Sequence, residues 1–122
     1  MHTEPMIAVK DLLASSAWYE RLLGCKNTHG GAEFGRLEHG DTVLLLLHHW
    51  QGDEHAWLRQ ARDGAVGGGV CLYFRIDDLD AAFERAKALG AEILEGPHEN
   101  PLARQREVEL RDPDGYYVTL CQ

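Results

Sequence analysis

Two glutamates near the carboxyl end of the chain have a spacing that could support chemistry. Glu107 and Glu109 are two positions apart in a segment with strand character, so their side chains are expected on one face. Paired carboxylates of this kind can transfer protons or bind a cationic ligand, although two glutamates on an outer strand are often simply solvated. The sequence has no G-x-S-x-G nucleophile elbow, and its Gly67-Gly68-Gly69 run lacks the Lys-Ser/Thr of a phosphate loop.

Aromatic and arginine side chains provide further groups for a binding pocket, which needs flat apolar surface and a few polar anchors. An ordinary place in the core is the alternative interpretation for some of these aromatic residues. The predicted ligand-binding set is Phe34, Arg36, Trp50, Trp57, Tyr73, Arg75, Glu107, Glu109 and Tyr117.

The composition is that of one globular domain of 122 residues, with 44% hydrophobic and 26% charged residues. The net charge of −8 argues against a nucleic acid or an anionic membrane as partner and mildly favours a cationic ligand. Three cysteines without a CxxC pair argue against a disulfide framework and favour a reducing compartment. Without a signal peptide or a long apolar run, the protein is expected to be soluble and cytoplasmic.

The chain contains two copies of one pattern: an apolar strand, a capping Asp, an amphipathic helix and a closing Gly. The capping residues Asp11 and Asp78 are 67 positions apart, so two modules account for nearly the whole chain. The helices are predicted to end at Leu23-Gly24 and Leu89-Gly90. Helical spacing predicts buried faces formed by Leu13, Ala17, Trp18 and Leu22 in the first helix, and by Leu79, Ala82, Phe83, Ala86 and Leu89 in the second.

Three strand-like segments follow each helix, so each half is predicted to be a βαβββ module. Module one covers about residues 1–62 and module two about 68–122, joined by a connection with a possible short helix, Asp53 to Arg62. Pro97 and Pro101 predict a loop in the second module, and Asp112-Pro113-Asp114-Gly115 predicts a hairpin turn.

These motifs resemble those of the vicinal-oxygen-chelate superfamily, which contains glyoxalases, dioxygenases and bleomycin-resistance proteins. The similar segments are Val9-Lys10-Asp11 with Trp18-Tyr19-Glu20-Arg21-Leu22-Leu23-Gly24, then Asp77-Asp78-Leu79-Asp80, and finally Asp112-Pro113-Asp114-Gly115. The resemblance spans the whole chain and implies a single α+β domain, in which mixed sheets curl into a cup with the helices outside. It carries less information about chemistry, because one fold hosts many activities.

The resemblance also implies where a metal would bind. Metal-dependent members place His, Gln or Glu ligands on four strands of the cup, and the corresponding positions here are Glu4, Leu45, Cys71 and Thr119. One carboxylate, one thiol, one hydroxyl and one alkyl group do not suit a hard octahedral cation, so no metal cofactor is expected. Zinc held by Glu4, Cys71 and a shifted His49 remains an alternative.

The leading functional hypothesis is a metal-independent binding protein that resembles the bleomycin-resistance proteins. Such proteins form homodimers that sequester an aromatic, often cationic, antibiotic in grooves made by both subunits, without turnover. The alternative is a glyoxalase-like, metal-dependent lyase, isomerase or dioxygenase with an atypical ligand set. A third possibility is a regulatory subunit with a filled cup and a partner surface elsewhere.

Overall fold

The computed structural model describes residues 1–51 and 67–122. The chain divides into two compact units, Met1–Val66 and Gly67–Gln122. The predicted helix Asp53 to Arg62 and the candidate residue Trp57 lie outside the described residues. No helix in the described part is long and apolar enough to cross a membrane.

Within residues 1–51, the first unit has one helix and a four-stranded mixed sheet with strand order β1-β4-β3-β2. Strands β1 and β4 pair in parallel, and the other pairs are antiparallel. The elements are β1 (Met6–Val9), α1 (Leu12–Leu23), β2 (Lys26–Asn27), β3 (Phe34–His39) and β4 (Thr42–His49).

The second unit repeats this topology with strand order β5-β8-β7-β6, where β5 and β8 form the parallel pair. The predicted α+β class and the two βαβββ modules are therefore confirmed. The elements are β5 (Cys71–Arg75), α2 (Leu79–Ala88), β6 (Glu92–Asn100), β7 (Gln105–Arg111) and β8 (Tyr117–Cys121).

The predicted capping residues begin both helices. The Asp11 carboxylate accepts a hydrogen bond from the Ala14 N–H at 3.0 Å, and Asp78 accepts one from Ala81 N–H at 2.9 Å. These bonds satisfy N–H groups that have no partner within the helix. Beyond the last turns, Gly24 has φ +69° and Gly90 has φ +65°, which are left-handed conformations that favour glycine.

The buried face of α1 differs from the predicted one. Leu13 is 63% exposed and Ala17 is exposed, whereas Trp18 and Leu22 are buried as predicted. Leu12, Ser15 and Tyr19 complete the buried face instead, together with Ser16. The prediction was wrong for Leu13 and Ala17, because the buried face is rotated by about one residue around the helix from the predicted one. The apolar pattern did not indicate this rotation, because two serines lie on the buried face. In α2, Leu79, Ala82 and Ala86 are buried as predicted, with Phe83 and Leu89 half-buried.

Pro97 does not lie in a loop. Strand β6 runs from Glu92 to Asn100, through Gly96 and Pro97. Its pairing with β7 shifts register twice, between Ile93 and Glu95 and again between Glu95 and His98. A proline is accommodated because β6 is an edge strand and its pairing is irregular at this point.

We predict that replacing Asp78 by Ala lowers the free energy of unfolding by about 1 kcal/mol, because the Ala81 N–H loses its side-chain acceptor. The Asp78→Asn variant keeps an acceptor oxygen and should stay within a few tenths of a kcal/mol of the wild type. Urea denaturation of the three proteins measures this difference. Equal stability of the Ala and Asn variants would contradict the capping role.

Candidate functional site

One face of the second sheet carries a continuous set of polar side chains. We call it the polar face and define it by Cys71, Tyr73, Arg75, Glu107, Glu109, Tyr117 and Thr119. The strand register brings them together, since Tyr73 is paired with Thr119 and Thr119 lies opposite Glu109. The alternate residues Leu72 and Phe74 are buried, as the predicted alternation requires, and the other face packs against α2.

Glu107 is the centre of the polar face, and it is only 1% exposed. Its Oε1 accepts hydrogen bonds from the Tyr73 hydroxyl at 2.5 Å and from Gln105 Nε2 at 2.6 Å. Its Oε2 accepts a third from Asn100 Nδ2 at 3.1 Å. These donors come from β5, β7 and β6, so three strands hold one carboxylate in a fixed position.

The hydrogen bonds keep Glu107 ionised although it is buried. Burial alone would raise the pKa of this carboxyl, but the bonds from Tyr73, Gln105 and Asn100 outweigh it, so the pKa lies below its ordinary value. The same contact raises the pKa of Tyr73 to about 12. The interpretation of Glu107 as a solvated glutamate is therefore wrong, because the neighbouring strands supply a polar cage that strand spacing alone does not indicate.

Sequence reasoning missed three members of this cluster, Asn100, Gln105 and His98. His98 Nδ1 lies 3.0 Å from the Gly96 carbonyl oxygen, and its Nε2 lies 3.9 Å from Glu107 Oε2. The hydrogen bond to Gly96 and the nearby carboxylates outweigh desolvation and raise the pKa of His98. Placing Pro97 in a loop hid these residues, because only a strand continuing to Asn100 brings β6 alongside Glu107.

Of the other candidates of the second sheet, Arg75 lies close to this centre, whereas Tyr117 lies further along the sheet, opposite Arg111. Arg75 donates from Nη2 to Gln105 Oε1 at 2.6 Å, so it supports a residue that itself bonds Glu107. The Arg111 guanidinium lies 4.3 Å from the Tyr117 ring centroid and donates to the Tyr117 hydroxyl at 2.9 Å. Tyr73 differs from these side chains, because it is 53% exposed while its hydroxyl is fixed on Glu107. Its ring is thus an accessible, oriented aromatic surface.

In the first unit, Phe34 lines a pocket of about 630 Å³ together with Met6, His48 and residues 29–33. The rings of His29 and Phe34 meet edge to face at 4.8 Å. His48 is 3% exposed, and its Nδ1 lies 2.8 Å from the His49 carbonyl oxygen. The pocket is therefore an aromatic recess with few charges on its wall.

Arg36 and Trp50 contact charged side chains and do not line the pocket beside Phe34. Arg36 donates from Nε to Glu38 at 2.6 Å, and its Nη2 lies 3.6 Å from Glu4 Oε1. Trp50 follows β4, and the Lys10 ammonium lies 5.6 Å from its ring centroid. The structure therefore places Arg36 in an ion-pair cluster and Trp50 at the end of the strand.

The resemblance implies metal-ligand positions at Glu4 and Leu45 in the first unit and at Cys71 and Thr119 in the second. Cys71 Sγ and Thr119 Oγ1 lie 3.2 Å apart and hydrogen-bond each other, and Glu4 is ion-paired with Arg36. Leu45 is fully buried and pairs with Leu37, so it lies on the face opposite to Arg36. By residue type alone, a carboxylate, an alkyl group, a thiol and a hydroxyl do not suit a hard divalent cation.

Comparison with known proteins gives one family and many similar folds. The model of the Glyoxalase/Bleomycin resistance protein/Dioxygenase superfamily matches residues 2–120. None of the curated proteins matches the chain. Among solved structures, a protein of unknown function from Agrobacterium tumefaciens str. C58 has a TM-score of 0.81 at 26% identity, covering 99% of this chain and 92% of that chain.

Two further structures share the fold at lower identity. The bleomycin resistance determinant encoded on the transposon Tn5 has a TM-score of 0.72 at 22% identity, covering 100% of this chain and 97% of that chain. A glyoxalase/bleomycin resistance protein/dioxygenase family enzyme from Burkholderia phytofirmans PsJN has a TM-score of 0.78 at 22% identity, covering 95% and 93%. At these identities the likeness shows a common fold and leaves the activity to be argued from the site.

We predict that Tyr73 stays protonated at about pH 11, where an ordinary tyrosine ionises. Its pKa of about 12 lies above the unfolded value, so the Tyr73–Glu107 bond stabilises the fold below about pH 10 and is lost as the pH rises through about 12. Tyrosinate absorbance, compared between wild type and Tyr73→Phe, isolates this group while circular dichroism monitors folding.

The Glu107→Gln variant should shift this ionisation to lower pH, because the carboxylate that opposes a second negative charge is removed. Glu99→Gln, at an exposed site on β6, serves as the matched control and should leave it unchanged. An ordinary Tyr73 titration in the folded wild type would contradict the described contact.

Proposed function

Since this chain belongs to the Glyoxalase/Bleomycin resistance protein/Dioxygenase superfamily, we propose that it binds a small molecule without a metal at the superfamily's ligand positions. The ligand class that the polar face suits is a cationic compound with an aromatic part. The protein would act by occupancy, as bleomycin-resistance proteins do, and not by turnover.

The observation that carries this proposal is the ionised, caged Glu107 beneath the exposed ring of Tyr73. The three hydrogen bonds already offset the cost of desolvating the Glu107 carboxylate, and they hold it in place, so it needs no rearrangement when a cation approaches. The face of an aromatic ring attracts a cation and stacks on flat apolar groups. Together, the two groups offer charge recognition and aromatic contact at one place.

Glu109 strengthens the negative character of the polar face, since it is half-buried on the same strand face as Glu107. Arg75 donates from Nη2 to the amide oxygen of Gln105, so this hydrogen bond goes to a neutral side chain and not to a carboxylate. The net charge of −8 acts in the same direction over a longer range. A cationic ligand is therefore favoured over an anionic one.

The donor set at the superfamily's metal positions supports metal independence. Cys71 and Thr119 hydrogen-bond each other on neighbouring strands of the second unit, and Glu4 is ion-paired with Arg36 in the first. An enzyme of the glyoxalase or dioxygenase type needs a divalent ion that polarises a substrate oxygen. These side chains do not provide its ligands, so binding is preferred here over metal-dependent catalysis.

The recess lined by Met6, Phe34 and His48 supports an aromatic preference in the first unit as well. Its volume of about 630 Å³ lies within the range of small-molecule pockets, and its wall is mainly apolar. We propose that this recess binds uncharged aromatic groups.

We predict that chelator-treated protein binds at least one member of a panel of cationic aromatic antibiotics, bleomycin included, with micromolar or tighter Kd. Glu107→Gln should weaken that binding about tenfold or more, or about 1.4 kcal/mol, because it removes the negative charge. Tyr73→Ala should weaken it further through loss of the ring, by about 0.5–2 kcal/mol. Isothermal titration calorimetry measures each Kd.

Glu99→Gln is the matched control for this series, because it removes an exposed glutamate from β6. It should bind as the wild type does. The proposal is overturned if no compound binds in the presence of chelator, or if Glu107→Gln binds as tightly as the wild type.

We also propose that the protein is a homodimer. The edge strand β6 exposes Leu94, which is 42% exposed, and an uncovered strand edge with an apolar side chain favours pairing. Light scattering should give twice the mass of the chain, and Leu94→Lys should shift the equilibrium toward monomer. A monomer at all accessible concentrations would refute this assembly.

A further inference from the structure

A further group of potential ligands lies on β6 and β7, and it contains none of the four positions that the resemblance implies for a metal. We propose that Glu95, His98 and Glu109 bind a divalent transition-metal ion, with zinc as the best match to the donors. Within residues 1–51 and 67–122, this is the one group of at least three metal-ligating side chains whose ligand atoms all lie within 4.8 Å of one another.

The irregular pairing of β6 brings these side chains to one place. Glu95 and His98 are three residues apart, so on a regular strand their side chains would point to opposite faces. The register shift between them removes this separation, and it pairs Glu95 with Glu109 and His98 with Glu107. The bulge that sequence reasoning mistook for a loop therefore assembles the donor set.

The imidazole of His98 is oriented as metal-binding histidines commonly are. Its Nδ1 lies 3.0 Å from the Gly96 carbonyl oxygen, so a proton on Nδ1 is donated to that carbonyl and Nε2 is the nitrogen left for coordination. Glu95 Oε1 lies 3.7 Å from Nδ1, and Glu107 Oε2 lies 3.9 Å from Nε2. A backbone acceptor on the second ring nitrogen is the usual partner that fixes the tautomer of a histidine ligand. Coordination by Nε2 therefore requires the exposed Glu95 side chain to rotate from the Nδ1 side of the ring toward Nε2.

The carboxylates around His98 supply an independent reason for a cation here. Glu95 and Glu109 are directly paired across β6 and β7, an arrangement in which like charges repel. Glu107 Oε2 adds a third carboxylate 3.9 Å from His98 Nε2. A divalent ion between these groups would neutralise the repulsion.

The donor set favours zinc and leaves room for further ligands. Imidazole nitrogen and carboxylate oxygen bind zinc at about 2.0–2.2 Å, and three protein ligands leave a coordination position for water or another molecule. The Glu95 side chain is 56% exposed, so it can rotate to close the distances, and solvent reaches the ion. Copper and nickel also suit these donors, and they are distinguished from zinc by competition.

Titration of zinc chloride into chelator-treated, untagged protein tests this site without any organic ligand. The expected result is one zinc ion per chain by calorimetry and elemental analysis. His98→Gln and Glu109→Gln should each weaken zinc binding at least tenfold while circular dichroism shows an unchanged fold. Anomalous diffraction at the zinc edge should place the ion beside His98.

The control variants are Glu4→Gln and Cys71→Ser, at positions that correspond to ligands in metal-dependent relatives. Both should bind zinc as the wild type does. The inference is overturned if the wild type takes up no zinc, or if zinc binding is lost in the control variants and kept in His98→Gln. Because the proposed binding of organic cations is measured in chelator, either proposal can fail without the other.

Discussion

A buried carboxylate that must remain hydrogen-bonded is the constraint on which the second module depends. Removal of an ionised glutamate from water costs several kcal/mol unless charged or polar partners replace the solvent. Glu107 meets this requirement through Tyr73, Asn100 and Gln105, which lie on three different strands. The register of those strands is thereby tied to one side chain, since a slip by one residue would move a donor to the other face.

The two modules share a topology and use their sheets differently. In the first, Arg36 is neutralised by Glu38 and Glu4, and the wall beside Phe34 is an apolar recess. In the second, the equivalent sheet carries a caged negative charge. Duplication of a βαβββ unit fixes where side chains can point, and the choice of residue at those points decides between apolar contact and charge recognition.

The sequence predicted the elements well because the signals for them are local. Asp11 and Asp78 cap their helices, Gly24 and Gly90 adopt left-handed conformations, and the alternation along β5 is as expected. The hydrogen-bonded cage around Glu107 was predicted only in part. Tyr73 and Glu107 were both candidate ligand-binding residues, but the hydrogen bond between them was not predicted. Its other members required the long-range pairing of β6 and β7, and the bulges that set this register have no local signature beyond Gly96-Pro97.

The central claim is that the Glu107 carboxylate and the Tyr73 ring recognise a cationic aromatic ligand without help from a metal. A crystal structure of chelator-treated protein bound to the tightest compound of the panel tests it most directly. The account predicts the cationic group beside Glu107, the aromatic part against Tyr73, and no metal ion at Cys71 or Thr119. A ligand that avoids the polar face, or one coordinated to a metal ion at Cys71 or Thr119, would contradict it.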